Sequence, residues 1–502
     1  MGKKYLIGID VGTSAVKTIL FDIEGAIIAS SSKEYPLYQP KNGWAEQEPE
    51  DWINAAFATV KKVVSGSGVP AEKIAGIGLT GQMHGLVMLD GEGKPLRRSI
   101  IWCDQRTAKE CEEITERVGR DKLVAITANP ALTGFTASKI LWVRNNEPEI
   151  YRRCRHILLP KDYLRYCLTG EFATDVSDAS GMQLLDVPQR RWSLEVLEKL
   201  EMAPEMLGRV YESPEITGYV TAEAAEATGL LPGTPVVAGA GDNAAAAVGT
   251  GVVKNGLAFT TIGTSGVVYA HSDKAAIDPQ GRVHTFCCAV PGAWHVMGVT
   301  QAAGLSLKWF RNNFTAGESY AELDEKAAQI PAGANRLLFL PYLMGERTPH
   351  LDPDCRGAFI GLSAVHTKYD LLRAVMEGVT YSLKDCLDIL IEMGLGIDRM
   401  YACGGGAKSP FWRQMLADVF GLPVLTVKCV DGPALGAAVL AAAGTGLYSD
   451  VPSASGAMLK DDELQVPAAE RTAEYIKYYG IYRELYPALK KSFSALAGLQ
   501  GR

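Results

Sequence analysis

The chain opens with three short runs rich in apolar and β-branched residues, YLIGID, AVKTILFD and AIIASSSKEY, separated by a Gly-Thr-Ser turn and a Glu-Gly turn. This punctuation predicts a three-stranded meander. A helix is expected from about Pro49 to Val64, followed by a buried strand, KIAGIGLTG, and then by alternating helical and strand-like segments through PVVAGAG, the pattern of a mixed α/β domain. The segment Arg120 to Arg209 reads as mostly helical. After Gly251 the opening theme returns as LAFTTIGTSGVVYA, a weak internal repeat of IGIDVGTSAVKTILFD at half-chain spacing. A repeat of that length implies a duplicated domain, with two lobes that each present a Gly-Thr-Ser hairpin to a shared cleft.

In the second half, Leu372, Val375, Met376, Val379, Leu383, Cys386, Leu387 and Leu390 form one apolar stripe, which predicts a helix beginning near Tyr369. A strand (DRMYAC), the loop GGGAKS, a helix (PFWRQMLADVF), a strand (PVLTV) and an Ala-rich helix after Gly432 follow. A terminal helix is expected from about Glu470 to Leu496, with packing on either lobe left open. The boundaries drawn from this pattern are 1–245 and 246–502, with the hinge expected in the Gly-rich region Gly239 to Gly251.

The length of 502 residues suits two domains and a cleft between them. The formal net charge is -7 with both signs scattered, and no Lys/Arg block is dense enough to neutralise a nucleic acid or dock on an anionic membrane. Small-molecule partners are favoured. The apolar runs are interrupted by polar residues and Gly, and the N-terminus runs straight into a strand, so a cytoplasmic protein is expected. Ten cysteines at uneven spacings, without a CxxC pair, read as reduced thiols rather than a zinc site.

Four elements that carry chemistry lie at turns after strands. In Asp10-Val11-Gly12-Thr13-Ser14, Gly lets the main chain approach a phosphate, the Thr13 and Ser14 hydroxyls have the chemistry to donate to it, and Asp10 suits magnesium held through water. Gly263-Thr264-Ser265 repeats the arrangement, so the two hairpins together would clamp a phosphate chain. Gly404-Gly405-Gly406-Ala407-Lys408-Ser409 joins a strand to a helix and would present N–H groups and a favourable dipole to an anion or nucleotide, although it is neither a Walker A loop nor a GxGxxG fingerprint. A plain turn needs one Gly, not three. In AGAGDNAAAAVGTG, Asp242 is the one carboxylate among small residues: either a helix cap, stabilised as an anion by the dipole, or a group with a task. Gly81-Gln82-Met83-His84-Gly85 also follows a strand, and its flanking glycines expose the side chains between them, whereas a lone His is ordinarily a structural group.

In order and spacing, DVGTSAVKTILFD, GWAEQEP, GQMHG, IWCDQRT, SDASGMQLLDV, GAGDNAAAAVGTG, IGTSG, GERTPH and ACGGGAKSPFWRQMLADVFG resemble the carbohydrate kinases that include glycerol, gluconate, ribulose and xylulose kinases, the xylulose-specific branch most of all. The resemblance spans residue 5 to about 445. It implies the two-lobed actin-like ATPase (ribonuclease H-like) fold, ATP with Mg2+ in the cleft, and phosphoryl transfer to the 5-hydroxyl of D-xylulose. It also implies that Asp242 is the catalytic base, that Asn243, Met83 and His84 contact the sugar, and that Asp10 manages magnesium. Thr13, Ser14, Lys17 and Thr264 then serve the phosphates, Gly304, Gly405, Gly406 and Ser409 the nucleotide, and Asp104, beside Arg106, the substrate side; a homodimer is a further implication. Glycerol kinases carry Gln after the catalytic Asp and an Arg-Glu pair in place of Met83-His84, and the departure here favours a ketopentose. Two alternatives stand beside this reading: another sugar or polyol acceptor such as ribulose, gluconate or a deoxy sugar, and an actin-like nucleotide-gated binding protein without sugar chemistry.

Overall fold

In a computed structural model that describes residues 4–429 and 431–499, two mixed seven-stranded sheets carry the chain. In the first, Tyr5–Val11, Ala15–Asp22 and Ile27–Glu34 form the expected antiparallel meander, with Asp10 opposite Lys17. Ile74–Gly81 lies parallel to Tyr5–Val11, and Pro235–Val237 parallel to that strand in turn. The second sheet repeats the plan. Gly256–Ile262, Gly266–Ser272 and Trp294–Thr300 form the meander, Ile397–Cys403 runs parallel to Gly256–Ile262, and Val424–Val427 runs parallel to Ile397–Cys403. The repeat legible around Gly-Thr-Ser is therefore a duplication of a whole sheet topology.

Ile74–Gly81 is buried at all eight positions, as a strand covered on both faces must be. Helix Pro49–Gly66 covers one face through Trp52, Ile53, Val60 and Val63. The other face is covered from far along the chain, by the Ala-rich helix Gly432–Gly444. That helix is buried all round because it fills the space between the first sheet and the helix Asp242–Gly249. Glycine makes the approach possible: a Cβ on Gly8 or Gly78 would overlap the Ala434 or Ala437 carbonyl, and one on Gly249 or Gly436 would overlap the carbonyl of Gly432 or Ala245. Backbones thus meet where side chains would ordinarily keep them apart.

The long helix Lys368–Glu392 is present, opened by a capping box between Thr367 and Asp370. Arg120 to Arg209 is more mixed than expected, because short strands such as His156–Leu158, Ala173–Asp175 and Leu185–Asp186 interrupt its helices. Two- and three-residue strands are too short to show a period of two. The terminal helix Ala469–Leu499 packs on the second lobe, where Tyr475, Tyr479, Tyr482 and Phe493 join the core built around Lys368–Glu392. All ten cysteines are unpaired. Among the described residues no helix is long and apolar enough to cross a membrane.

Two glycine substitutions separate contact from flexibility. Gly78→Ala, which drives a methyl into the Ala437 carbonyl, is expected to destabilise the protein by about 1–3 kcal/mol or more. Gly480→Ala lies in a helix with open space around the new methyl and is expected to be neutral or stabilising by up to about 1 kcal/mol. Chemical denaturation of the two variants beside the parent checks both signs.

Candidate active site

Asp242 is the first residue of Asp242–Gly249, one position inside the helix, and Gly241 is the N-cap. Its Oδ1 accepts the Asn243 backbone N–H at 2.7 Å and the Asn243 side-chain amide at 3.0 Å. The capping reading is corrected on two counts: the carboxylate does not cap a later N–H, and its pKa is pushed up to about 6 rather than lowered. Burial outweighs the two Asn243 hydrogen bonds that favour the anion. Asp10, at the end of Tyr5–Val11, faces the same space, and its pKa is pushed up to about 7 by burial first, then by the charge of Asp242. Its Oδ1 is buried without a hydrogen-bond partner. Lys17, expected to serve a phosphate, is ion-paired with Asp431 from the far end of the chain, so its first task is to tie the hairpin to the segment that leads into Gly432–Gly444.

The first hairpin is bolted down from its sides. Gln82 donates through Nε2 to the Gln47 side-chain oxygen at 2.7 Å, and Gln47 Nε2 donates to the Thr13 carbonyl at 2.6 Å. Trp102 Nε1 donates to the Thr13 hydroxyl at 2.9 Å, and Ser14 is exposed at the tip. GWAEQEP and GQMHG are thereby joined to the hairpin in one network.

In the GQMHG turn, Met83 is buried against Gly241, where a Cβ would collide with it, so the small residue before Asp242 is there to let Met83 pass. His84 takes a left-handed backbone (φ 68°), fixed by Thr136 and Lys139, whose Oγ1 and Nζ donate to its carbonyl at 3.1 and 2.8 Å. Burial and the nearby Lys139 charge push its pKa down to about 3, so the ring is neutral. Nδ1 lies 2.8 Å from the Gly181 carbonyl, which only accepts; Nδ1 therefore carries the proton and Nε2 is left as an acceptor suited to a hydroxyl. Asp104 has a different task from the one expected. It is fully buried, with both oxygens engaged by Arg106 and one also accepting the Ala45 N–H at 2.6 Å, and Arg106 stacks over Trp44 at 3.6 Å. It braces the wall rather than facing a ligand.

On the opposite side the structure gathers Gly263, Thr264, Gly304, Gly405, Gly406 and Ser409 around a cavity of about 670 Å³. The Gly304 N–H donates to the Gly263 carbonyl at 2.7 Å, seating the second hairpin on helix Gly304–Phe314. Two glycines of the three-glycine loop are accounted for. Gly404 has φ 84°, and Gly406 is pressed against Ile262, so the turn explains both. A Cβ on Gly405 would meet nothing within 4 Å, so neither the turn nor a contact accounts for this glycine on the cavity wall.

Two features escaped sequence reasoning. Beneath Asp242 lies a buried ionic cluster: Lys161 Nζ is 2.6 Å from Asp162, 3.0 Å from Asp175 and 3.7 Å from Asp178, and Arg165 also pairs with Asp162. Ser177 Oγ donates to Asp175 at 2.5 Å and accepts the Gly241 N–H at 3.1 Å, so the cluster anchors the residue just before Asp242. Asp178 is raised well above the usual carboxylate range by burial, partly offset by Lys161. Across the cleft, His284 and Phe286 of the second lobe pack with Phe135 and His84, His84 and Phe135 being 4.8 Å apart and Phe135 and His284 5.8 Å apart. Arg347 stands near both histidines, depressing their proton affinity, and among the described residues its guanidinium makes no ion pair within 4 Å. Only the GERTPH string marked it. Among the described residues no group of three or more His, Cys, Asp or Glu is gathered as a metal site.

Residues 5–249 match the N-terminal domain, and residues 258–445 the C-terminal domain, of the FGGY family of carbohydrate kinases. The chain is 41% identical over 493 residues to a protein of Bacillus subtilis named xylulose kinase, covering 98% of this chain and 99% of that one. It is 41% identical over 488 residues to a xylulose kinase of Escherichia coli, covering 96% and 99%. Among solved structures, a ligand-bound xylulose kinase from Lactobacillus acidophilus superposes with a TM-score of 0.93 at 30% identity, over 98% of this chain and 100% of that one.

The raised Asp242 pKa has a consequence for stability. A carboxyl whose folded pKa lies near 6, against 3.8 ordinarily, adds stability that is complete at low pH and is lost as pH rises through about 6. Asp242→Asn removes that loss. Its melting temperature is expected to exceed the parent's at about pH 7–8, by an amount worth about 1–3 kcal/mol, and the gap is expected to close below about pH 4. Thermal melts of both proteins across that range check it.

Proposed function

The chain belongs to the FGGY family of carbohydrate kinases, and we propose that it transfers the terminal phosphoryl group of ATP to the 5-hydroxyl of D-xylulose, with Asp242 as the base. The observation that supports this most is the position of Asp242. It opens the helix that follows Gly241, the residue packed on Met83, and faces the same buried space as a second carboxylate, Asp10, with no cationic partner within 4 Å among the described residues.

In this reading the first lobe holds the sugar and the second the nucleotide. The phosphates lie between the Gly12-Thr13-Ser14 and Gly263-Thr264 hairpins, and the nucleoside occupies the cavity closed by Gly304, Gly405, Gly406 and Ser409. His84 accepts a sugar hydroxyl through Nε2, Asn243 donates its side-chain amide beside the base, and Arg347 offers its unpaired guanidinium to oxygens at the end of the sugar remote from the transfer. Phosphoryl transfer asks the protein for alignment and charge distribution more than for covalent chemistry. Asp242 takes the hydroxyl proton as the new oxygen–phosphorus bond forms, a task a carboxylate with a raised pKa performs better than an ordinary one.

The residues also fit magnesium. Asp10 presents a buried carboxylate oxygen without a hydrogen-bond partner, in a neighbourhood where Asp242 and Asp431 add negative charge, which is the hard-oxygen environment that such an ion takes, usually through water. When bound, the ion neutralises charge on the phosphates. Asp10 would hold it, and Lys17 would keep Asp431 in place beside it.

Three measurements test the reading. Asp242→Asn is expected to lower kcat by about 10²–10⁴-fold while the KM for ATP changes little. A coupled assay over D-xylulose, D-ribulose, gluconate, glycerol and a deoxy sugar should place D-xylulose first in kcat/KM; turnover of another acceptor ahead of it, or none of any, overturns the assignment. Gly405→Val fills the open side of the nucleotide cavity, and it is expected to raise the KM for ATP at least about tenfold with an unchanged melting temperature in the absence of nucleotide.

A further inference from the structure

The cavity of about 670 Å³ has two chemically different ends. Towards Gly263, Thr264, Gly405 and Gly406 it is lined by backbone, which suits phosphate and ribose. Towards helix Tyr320–Ala328 it is walled by Tyr320, Ala321 and Pro410, and one carboxylate, Asp324, stands among these apolar surfaces. Asp324 is fixed on a helix that begins with a complete Ser319–Glu322 capping box and that anchors itself to the core through Leu323 and Ala327. Among the described residues no Lys or Arg lies within 4 Å of it, and the Ser409 hydroxyl is the polar neighbour that offsets its desolvation. Ser409 Oγ already accepts the Trp412 N–H at 3.0 Å as the cap of helix Pro410–Phe420, which leaves its proton to point at Asp324. The Ser409 hydroxyl is a neighbour of the carboxylate, which retains capacity for a further donor. Half-buried on the cavity wall with no cation beside it, Asp324 keeps an acceptor oxygen for a donor that enters the cavity.

We infer that Asp324 reads the base of the nucleotide, accepting a hydrogen bond from the 6-amino group of adenine while Tyr320, Ala321 and Pro410 flank the ring. This rests on the assignment of the cavity to ATP. A flat ring matches the walls, and an exocyclic amino group is the donor that an unpaired carboxylate lacks; Lys308 and Lys408, also on the cavity wall, serve oxygens but cannot accept from an amine. Ser409, prominent in the sequence as part of a phosphate-like loop, then acts in base recognition by orienting Asp324.

The probe is purine riboside triphosphate, which is ATP with hydrogen in place of the 6-amino group. With the wild-type enzyme its KM is expected to exceed that of ATP by about 10- to 100-fold. In Asp324→Ala the KM for ATP should rise to that level, the KM for purine riboside triphosphate should stay within twofold, and kcat and the KM for D-xylulose should be unchanged. Asp324→Asn, of the same size and still an acceptor, should fall between the two. An Asp324→Ala variant that weakens both nucleotides equally, or neither, overturns the inference, and a selective loss for 2′-deoxy-ATP relative to ATP in the wild type that disappears in Asp324→Ala would reassign the carboxylate to the ribose. Gly405→Val separates this failure from failure of the site: if it raises the KM for ATP while Asp324→Ala does nothing, the cavity holds ATP and Asp324 does not read it; if neither variant affects ATP, the cavity itself was misassigned.

Discussion

A carboxylate can act on a substrate only if it stays where the substrate arrives, and here main-chain packing keeps it there. Asp242–Gly249 rests on Gly432–Gly444 through the backbones of Ala245, Gly249, Gly432 and Gly436, and Gly432–Gly444 rests in turn on the sheet through Gly8 and Gly78. Side chains hop between rotamers, whereas a helix in backbone contact on one side and tied to Ser177 at its start has little room to shift. The Ala and Gly richness of AGAGDNAAAAVGTG and GPALGAAVLAAAG is one requirement seen from its two surfaces.

That anchoring sets the electrostatics. Drawing Asp242 and Asp10 into the same low-dielectric space raises both pKa values, and the field of the helix N-terminus does not reverse the effect. The protein tolerates a second group of buried charges directly beneath, where Lys161 and Arg165 meet Asp162, Asp175 and Asp178. A buried ionic cluster is weak evidence for stability, but this one has a specific mechanical link, through Ser177, to the N–H of Gly241. Its charges hold a backbone position; those of Asp242 and Asp10 face the cleft.

The duplication, the hairpins and the glycine loop were legible in the sequence because each is local: a turn, a repeat and a strand–loop–helix junction are written in adjacent residues. Gly404 and Gly406 were explained by a turn and a contact, and Gly405 by neither, a distinction only coordinates supply. Asp104 shows the limit of motif reading. Its string marks the neighbourhood, but which oxygens Arg106 and Ala45 take depends on the packing of Trp44 and Glu46 around them. Arg347 and His284 could not be placed beside His84 from sequence, since they reach it only after the second sheet has been laid across the first lobe.

The same packing reaches the region where the two lobes join. Within the Gly-rich stretch Gly239 to Gly251, Gly239 abuts the Leu79 carbonyl and Gly249 the Gly432 carbonyl, so these two glycines serve close contact, whereas Gly251 has no such close contact and a positive φ. The chain passes between the sheets three times: after Asp242–Gly249 into Gly256–Ile262, after Val424–Val427 into Gly432–Gly444, and after helix Val451–Met458 into Asp461–Gln465. The lobes also meet outside these crossings, where Asn129 donates to the Thr285 carbonyl and Ser180 Oγ accepts the Cys287 N–H, so a rotation of one lobe against the other would have to shift those contacts as well. Asp431, just before Gly432–Gly444, is paired with Lys17 of the first hairpin, so the helix that supports Asp242–Gly249 is tied to that hairpin by an ion pair as well as by backbone contact.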